Sequence, residues 1–311
     1  MGGAREAHQL RQHRLGISLP GDRLPLSEVP ALAARAEALG YTDFWSFEVN
    51  LFDGFTPLAA AAATTRAARL GVAIAPVFFR PSGLLALHAA AMAELAPGRF
   101  VLGVGSSTPV VVEQWMGVPF GRPVSAVQET VQAVRALLNG DKVGGMRLGR
   151  PPAQPPPIWM AALGARMAAA ARELADGICL FMVGPGLVRE IVGEQDSMCR
   201  ITVIPGEEEP ARALARRQIT AYALVPFYAR VLARQGFGEE VKAIQERWTA
   251  GDRAAAAGQV SDAMVAELTL TGSLDAIGAG LERYWDAGLG CPVLAVLGDQ
   301  EPVLEALAPG R

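Results

Sequence analysis

The chain has 311 residues, of which 51% are hydrophobic and 19% are charged, and its formal net charge is −3. This length and composition can bury a sizeable core in one large domain. The absence of a basic stripe argues against a nucleic-acid partner, and every long apolar stretch is interrupted before 18 residues, which argues against a membrane span. Three cysteines and three histidines are too few and too scattered for a disulfide framework or a histidine-based zinc site.

The N-terminal stretch MGGAREAHQLRQHR is polar and lacks the apolar segment of a signal peptide. We therefore expect a disordered tail over residues 1–13 and a single domain over residues 14–311. The expected location is the cytoplasm.

Eight apolar runs suited to buried strands follow. The first four begin near Arg14, Thr42, Leu70 and Arg99, and their spacing of 28 or 29 residues is the length of a strand, a helix and two loops. The other four cover residues 157–161, 177–182, 199–204 and 292–297.

Helix signals occupy the segments between these runs. Ser27, Thr56-Pro57 and Ser82 can each start a helix, because short hydroxyl side chains cap helix N-termini and proline fits the first turn. A fourth helix is expected over 123–138 and a last one over 273–287. The roughly ninety residues between the last two strands otherwise look helical throughout.

Buried strands that alternate with helices predict a parallel sheet closed into a (β/α)8 barrel, with insertions after strands 4 and 7. An open doubly wound sheet is the alternative. In a barrel, ligands bind at the carboxyl ends of the strands, so the residues that follow each strand are the candidates for function.

The fourth strand ends in PGRFVLGVGSS, with Gly103 and Gly105 close to two serines. This is not a dinucleotide-binding fingerprint, because Thr108 and Pro109 stand where a third glycine should open a helix. A tight turn explains the motif as well as a ligand does. Gly164 and Ala165, at the start of the next helix, form a better anion site, although an ordinary strand–helix junction would look the same.

Glu48 is the one carboxylate at a strand end where chemistry could use it, although such residues are often solvated or cap a helix. His88 lies in a helix among leucines and alanines, where a packing role is the simpler interpretation. The remaining strand ends are small or apolar. They suit a flat cofactor held by backbone groups rather than a metal ion.

Several segments, in order, resemble the bacterial luciferase-like family of (β/α)8 oxidoreductases, and within it the branch that uses the deazaflavin coenzyme F420. The segments are GYTDFWSFE, TPLAAAAATTRAARLGVAIAPVFFR and ELAPGRFVLGVGSS. PPIWMAALGARMAAAARELADG and TGSLDAIGAGLERYWDAGLGCPVLAV continue the pattern, so the resemblance covers roughly residues 14–300.

The resemblance implies a hydride-transferring enzyme, or a flavin monooxygenase in other branches, and a homodimer. It also implies a bulged third strand with a cis non-prolyl peptide bond at Ala73-Ile74, followed by Ala75 and Pro76, that backs the cofactor ring. The cofactor contacts implied at the fourth and fifth strand ends are Gly105, Ser106, Ser107, Leu163, Gly164, Ala165 and Arg166.

The chain departs from the sugar-phosphate dehydrogenases of that family. Those enzymes have an Asp-His pair after strand 2 and a Glu after the strand-4 glycine, where this chain has Phe47-Glu48 and Ser106. The missing acid and base argue against sugar-phosphate oxidation. The stretch after strand 6 is also short for the family, so the usual family contacts to the cofactor tail are not carried over to this chain.

These observations predict an F420-dependent oxidoreductase that transfers hydride to a small unsaturated or imine-like substrate, with Glu48 as the proton donor. One alternative is an FMN-dependent monooxygenase of the same family. Another is a cofactor-free barrel that acts as a binding or partner subunit, because no recognised acid–base pair is present.

Overall fold

Parallel strand pairing organises the computed structural model, which describes residues 13–21 and 24–310. Of the predicted tail, residues 1–12 lie outside the described residues, whereas His13 stacks on Trp285 with ring centroids 5.0 Å apart. The strands are β1 (Gly16–Ser18), β2 (Asp43–Ser46), β3 (Arg69–Pro76), β4 (Phe100–Gly105), β5 (Ile158–Ala161), β6 (Gly177–Phe181), β7 (Ser197–Pro205), β8 (Thr269–Gly272) and β9 (Cys291–Val296).

Eight of these strands close into a barrel. Each of β1 to β7 pairs in parallel with the next, and β9 pairs with both β7 and β1. All eight predicted strands are present, which confirms the predicted (β/α)8 barrel. The open doubly wound alternative is wrong because β6 pairs with β7, which closes the strand order β6-β5-β4-β3-β2-β1-β9-β7 into a ring.

The ninth strand, β8, was not predicted. It pairs with the last four residues of β7, beyond the part of β7 that pairs with β6. The expectation that residues 205–291 are helical throughout is therefore wrong at residues 269–272. Two threonines in this short segment favour a strand, but four residues between helices carry too little periodicity to be recognised.

Helices surround the barrel and also build the long connection after β7. They are α1 (Val29–Ala38), α2 (Thr56–Ala62), α3 (Ser82–Leu95), α4 (Pro123–Leu138), α5 (Ala165–Leu174), α6 (Pro185–Val192), α7 (Glu208–Ala223), α8 (Pro226–Leu232), α9 (Gly238–Thr249), α10 (Arg253–Gly258), α11 (Asp262–Leu268), α12 (Leu274–Asp286) and α13 (Glu301–Ala306). None of the helices in the described part is long and apolar enough to cross a membrane.

Helix starts were predicted to within a few residues. Ser82 is the first residue of α3, and Ser273 caps α12 by accepting a hydrogen bond from the N–H of Ala276. Ser27 and Thr56 do not cap, because a short 3-10 turn precedes α1 and the carboxylate of Asp53 accepts the N–H groups at the start of α2. A side chain that caps from three residues upstream leaves little signal in sequence.

A cluster of side-chain ion pairs closes the amino end of the barrel. Arg14 donates hydrogen bonds to Asp43 at 2.6 Å and to Asp196 at 2.7 Å, and Arg69 reaches Asp196 at 2.8 Å. The Asp43 side chain is 1% exposed. These residues come from the segments leading into β1 and β7 and from β2 and β3, so their ion pairs connect opposite sides of the ring. Burial acts to raise the pKa of Asp196, but Arg69 and Arg14 outweigh it and lower that pKa.

Asp196→Asn should lower the free energy of unfolding at neutral pH by about 1–3 kcal/mol, because it removes one carboxylate from a part-buried cluster and leaves two arginines undercompensated. The folded-state pKa of Asp196 is depressed, so its contribution is complete above the unfolded pKa of about 3.9 and is lost as pH falls through the folded value. The stability difference, measured by urea unfolding, should therefore shrink below about pH 4.

Glu94→Gln is the matched control, because Glu94 forms an exposed ion pair with Arg150. It should change stability by less than about 0.5 kcal/mol. An Asp196→Asn deficit that stays constant from pH 7 to pH 3 would show that charge is not its cause.

Candidate active site

The carboxyl ends of β3, β4 and β5 lie side by side, and the predicted site residues of these strands meet there. The pairing of β3 with β4 shifts register between Val72 and Ala75, and the peptide bond between Ala73 and Ile74 is cis. Both features were predicted. Ile74 and Ala161, from β3 and β5, pack against the cluster that fills the barrel interior.

Gly105, at the end of β4, sits between these two side chains. A Cβ at Gly105 would lie 2.9 Å from Cγ1 of Ile74 and 3.0 Å from Cβ of Ala161. The sequence suggested that this glycine makes room for a ligand, but its nearest neighbours are side chains of the adjacent strands. Packing against Ile74 and Ala161 therefore explains why this position is a glycine, without any ligand.

Two half-buried serines follow β4. The Ser106 hydroxyl donates to the carbonyl of Ser107 at 3.2 Å. Ser107 has a φ of +58°, a left-handed conformation that residues other than glycine adopt rarely. The chain then enters a π-helical turn, Val110–Trp115. Both hydroxyls thus stand at the mouth of the barrel beside the β5 end.

The junction of β5 and α5 offers backbone donors. Gly164 is the N-cap of α5, and a Cβ there would meet no atom within 4 Å. Over the described residues, the N–H groups of Gly164, Ala165 and Arg166 have no hydrogen-bond acceptor. Free N–H groups and the helix dipole favour an anion at such a position, and Arg166 is exposed nearby.

Glu48, after β2, is paired rather than open. Nε of Arg80 donates to its two carboxylate oxygens at 2.7 and 2.8 Å, and the side chains of Glu48 and Arg80 are 9% and 13% exposed. The Arg80 guanidinium also lies 5.2 Å from the ring centroid of Phe55. Sequence reasoning missed Arg80, although an arginine directly after β3, next to the strand that carries Glu48, is a usable signal.

Two further titratable groups surround this ion pair. Burial acts to raise the pKa of Asp53, but hydrogen bonds from Thr56 and Phe55 and the charge of Arg80 lower it. Burial and the charge of Arg80 lower the pKa of His88, whose ring stacks on Phe55 with centroids 4.5 Å apart. A neutral, stacked imidazole agrees with a packing role for His88.

A cavity opens on the other side of the mouth. Its lining includes Ser18 of β1, Phe47 after β2, Arg200 of β7 and Ala295 of β9. The guanidinium carbon of Arg200 lies 4.8 Å from the ring centroid of Phe47 and 5.3 Å from that of Phe181. Sequence reasoning also missed Arg200, although it is the one charged residue within the apolar run of β7.

The residues at this mouth fit a flat ring with an anionic tail. Apolar and small side chains at the β3, β4 and β5 ends can face a ring, and the two serines with the α5 N-terminus can hold an anion. Within the described ranges no cluster of three or more His, Cys, Asp or Glu side chains could bind a metal ion.

Comparison with known proteins identifies the family. The family model described as luciferase-like monooxygenase matches residues 11–290. The chain belongs to this family. It is an oxidoreductase or monooxygenase, as the family's members are.

Relatives of this luciferase-like enzyme include a 5,10-methylenetetrahydromethanopterin reductase of Methanolobus tindarius, 25% identical over 87% of this chain and 90% of the relative. The coenzyme F420 dependent tetrahydromethanopterin reductase of Methanopyrus kandleri superposes with a TM-score of 0.76 at 21% identity, covering 95% of this chain and 97% of that one. The EDTA monooxygenase of Chelativorans sp. BNC1 gives a TM-score of 0.63 at 14% identity, with 96% and 92% covered.

Gly103→Ala should destabilise the fold by about 2–3 kcal/mol through overpacking, because its Cβ would lie 2.1 Å from the carbonyl oxygen of Val72. Gly164→Ala is the matched control at the open end of the site. It should cost at most about 1 kcal/mol, because alanine is a poorer N-cap than glycine but its Cβ meets no atom, as measured by thermal or urea unfolding. Equal losses in the two variants would contradict the packing described for this rim.

Proposed function

We propose that this luciferase-like enzyme is an F420-dependent oxidoreductase that transfers hydride between the reduced deazaflavin and a small organic substrate with an unsaturated or imine-like group. The observation that supports it best is the juxtaposition of the bulged β3 end with the serines after β4 and the open N-terminus of α5. This arrangement provides one surface for a ring and one for an anionic tail.

In this proposal the ring lies against Ala73, Ile74, Ala75 and Pro76. The tail reaches the backbone of Gly105 and the hydroxyls of Ser106 and Ser107. At the junction of β5 and α5 it contacts Leu163, Gly164, Ala165 and Arg166. The similarity to the Methanolobus tindarius reductase supports a reductase, and the similarity to the coenzyme F420 dependent reductase of Methanopyrus kandleri supports F420 as its cofactor.

The chain's own residues position the reactants and exclude water. The cofactor, when bound, supplies or accepts the hydride. Phe47 and Ala295 line a cavity across the mouth from the proposed ring site, so a small substrate there would face the ring. Arg200 and Asp53 line the same cavity and give it one basic and one acidic side chain.

Glu48 remains the proposed proton-transfer residue. Nε of Arg80 donates hydrogen bonds to both of its carboxylate oxygens. The ion pair fixes the carboxylate in place, as a group that moves a proton at one atom must be.

Titration of the purified protein with F420 and with FMN, followed by cofactor fluorescence and visible absorbance, tests the proposal. F420 is expected to bind at least about tenfold more tightly than FMN, a difference of about 1.4 kcal/mol. Tighter binding of FMN would favour the second candidate, an FMN-dependent monooxygenase, which the family name and the EDTA monooxygenase neighbour support. Binding of neither would contradict both and favour a cofactor-free subunit.

The same titration separates Glu48 from the cofactor site. Glu48→Gln should keep F420 affinity within about twofold. It should slow oxidation of reduced F420 by 2-cyclohexen-1-one, an activated alkene used as probe, by roughly 100-fold. Glu94→Gln, at an exposed ion pair, is the control and should change neither value. Loss of affinity with unchanged turnover would place Glu48 outside the chemistry.

The outer face of α3 supports the proposed homodimer. Leu84, Leu87 and Leu95 are 40%, 51% and 55% exposed, and with Ala91 they follow one face of the helix at spacings of three or four residues. The opposite face is buried against the barrel. Because a second copy presents the same stripe, a twofold pairing of α3 with α3 would cover both.

Leu87→Glu should convert a dimer into a monomer in light scattering after size exclusion, because it places a charge in the centre of this stripe. Leu214→Glu is the control, since Leu214 is 40% exposed on α7, away from the stripe. A monomeric wild-type protein, or a Leu87→Glu variant that stays dimeric, would rule out α3 pairing.

A further inference from the structure

We infer that Arg234, a residue of the helical insertion after β7 (residues 206–268), is a positioning residue for the anion-binding end of the cofactor site. This inference rests on the proposed function, because it concerns how the α5 N-terminus is held. It assigns to the insertion a role in binding the cofactor tail at the β5 end, two strands from β7 in the ring.

Two adjacent residues attach the insertion to the barrel. They lie in a π-helical turn, Ala233–Phe237, where Gly236 has a φ of +94°. The Gln235 side-chain amide donates to the carbonyl of Met182 at 3.1 Å and accepts from the N–H of Gly184 at 2.7 Å. Gln235 thereby fixes the turn after β6, where Met182 itself has a φ of +56°.

Arg234 makes the corresponding contact to the turn after β5. Its Nη1 donates to the carbonyl of Leu163 at 3.0 Å, and its Nη2 pairs with Glu190 of α6. The guanidinium is 28% exposed. With Nη1 and Nη2 both engaged, Arg234 connects Glu190 of α6 to Leu163, the residue that precedes the α5 N-cap.

The contact determines how the next N–H is oriented. The carbonyl of Leu163 and the N–H of Gly164 belong to one planar trans peptide, so they point in opposite directions. Holding that carbonyl against Arg234 turns the Gly164 N–H away from the insertion, at a position where a Cβ would meet no atom within 4 Å. Loss of Arg234 would free this peptide to rotate, and the Gly164 N–H, at the N-cap of α5, would lose its fixed orientation.

An anionic tail should sense this orientation, whereas the ring should not. Backbone N–H groups bind an anion well only when they are already oriented, because a free peptide must be ordered at binding. The ring contacts proposed for Ala73–Pro76 lie on β3, two strands from the β5 end. The effect of Arg234 should therefore disappear when the ligand has no phosphate.

The experiment compares cofactors with and without the phosphate. Wild type, Arg234→Gln and Arg230→Gln are titrated by fluorescence with F420 and with its phosphate-free core, the deazaflavin riboside, and in parallel with FMN and riboflavin. Arg230→Gln is the matched control, because Arg230 is an exposed arginine on α8, one turn earlier. It removes the same charge without touching Leu163.

Arg234→Gln should weaken the phosphorylated ligand roughly tenfold and its phosphate-free partner by less than about twofold. Arg230→Gln should leave both unchanged. Arg234→Lys keeps the charge but replaces the two-pronged group by a single donor, so it should show most of the same loss. It also serves as the second variant if Arg234→Gln unfolds, as judged by circular dichroism.

Three results would overturn the inference while leaving the proposed function intact: equal losses for ligands with and without phosphate, no loss in either Arg234 variant, or the same loss in Arg230→Gln. Failure of the wild-type protein to bind F420 and FMN would overturn the proposed function, and the inference with it.

Discussion

Two tryptophans fill the barrel interior, and the rest of the site depends on them. Trp45 of β2 and Trp159 of β5 lie with ring centroids 5.2 Å apart. Each requires a glycine on the next strand, because a Cβ at Gly71 would lie 2.3 Å from Trp45 and one at Gly177 would lie 2.4 Å from Trp159. A barrel interior must be filled by side chains, and each tryptophan facing a glycine fills it in one layer. The carboxyl ends of the strands lie directly above this layer.

The two ends of the barrel differ sharply around that layer. On the amino side, Arg69 places its guanidinium carbon 5.5 Å from the Trp159 ring and also joins the ion cluster with Asp196, so charged side chains close that end. On the carboxyl side, the small residues Gly105 and Ala161 end β4 and β5, whereas Arg200 packs on Phe47 at the β7 and β2 side. The two ends therefore differ in kind, with an ion cluster at the amino end and small side chains at the β4 and β5 ends.

Most of the fold could be predicted from the sequence because the signals for strands and helices are local. Regular spacing, buried apolar runs and turn residues predicted all eight ring strands and the extent of α4. The failures have a physical pattern. The strand at residues 269–272 is too short for periodicity, and the α2 cap comes from Asp53 rather than from the adjacent Thr56. A local sequence pattern cannot show that a residue outside the pattern, such as Asp53, stabilises the element.

The positions of the candidate site residues on the strand ends were predictable, but their contacts were not. Strand ends located Gly105, Ser106 and the α5 junction, yet a glycine looks the same in sequence whether a ligand or a neighbouring side chain excludes its Cβ. The partners of these residues are remote in the chain: Arg80 lies 32 residues from Glu48, and Arg234 lies 71 residues from Leu163. Strand ends in a closed barrel form one rim, so any long insertion from one end can reach the others. That geometry lets the segment after β7 hold the turn after β5, through the hydrogen bond from Arg234 to the carbonyl of Leu163.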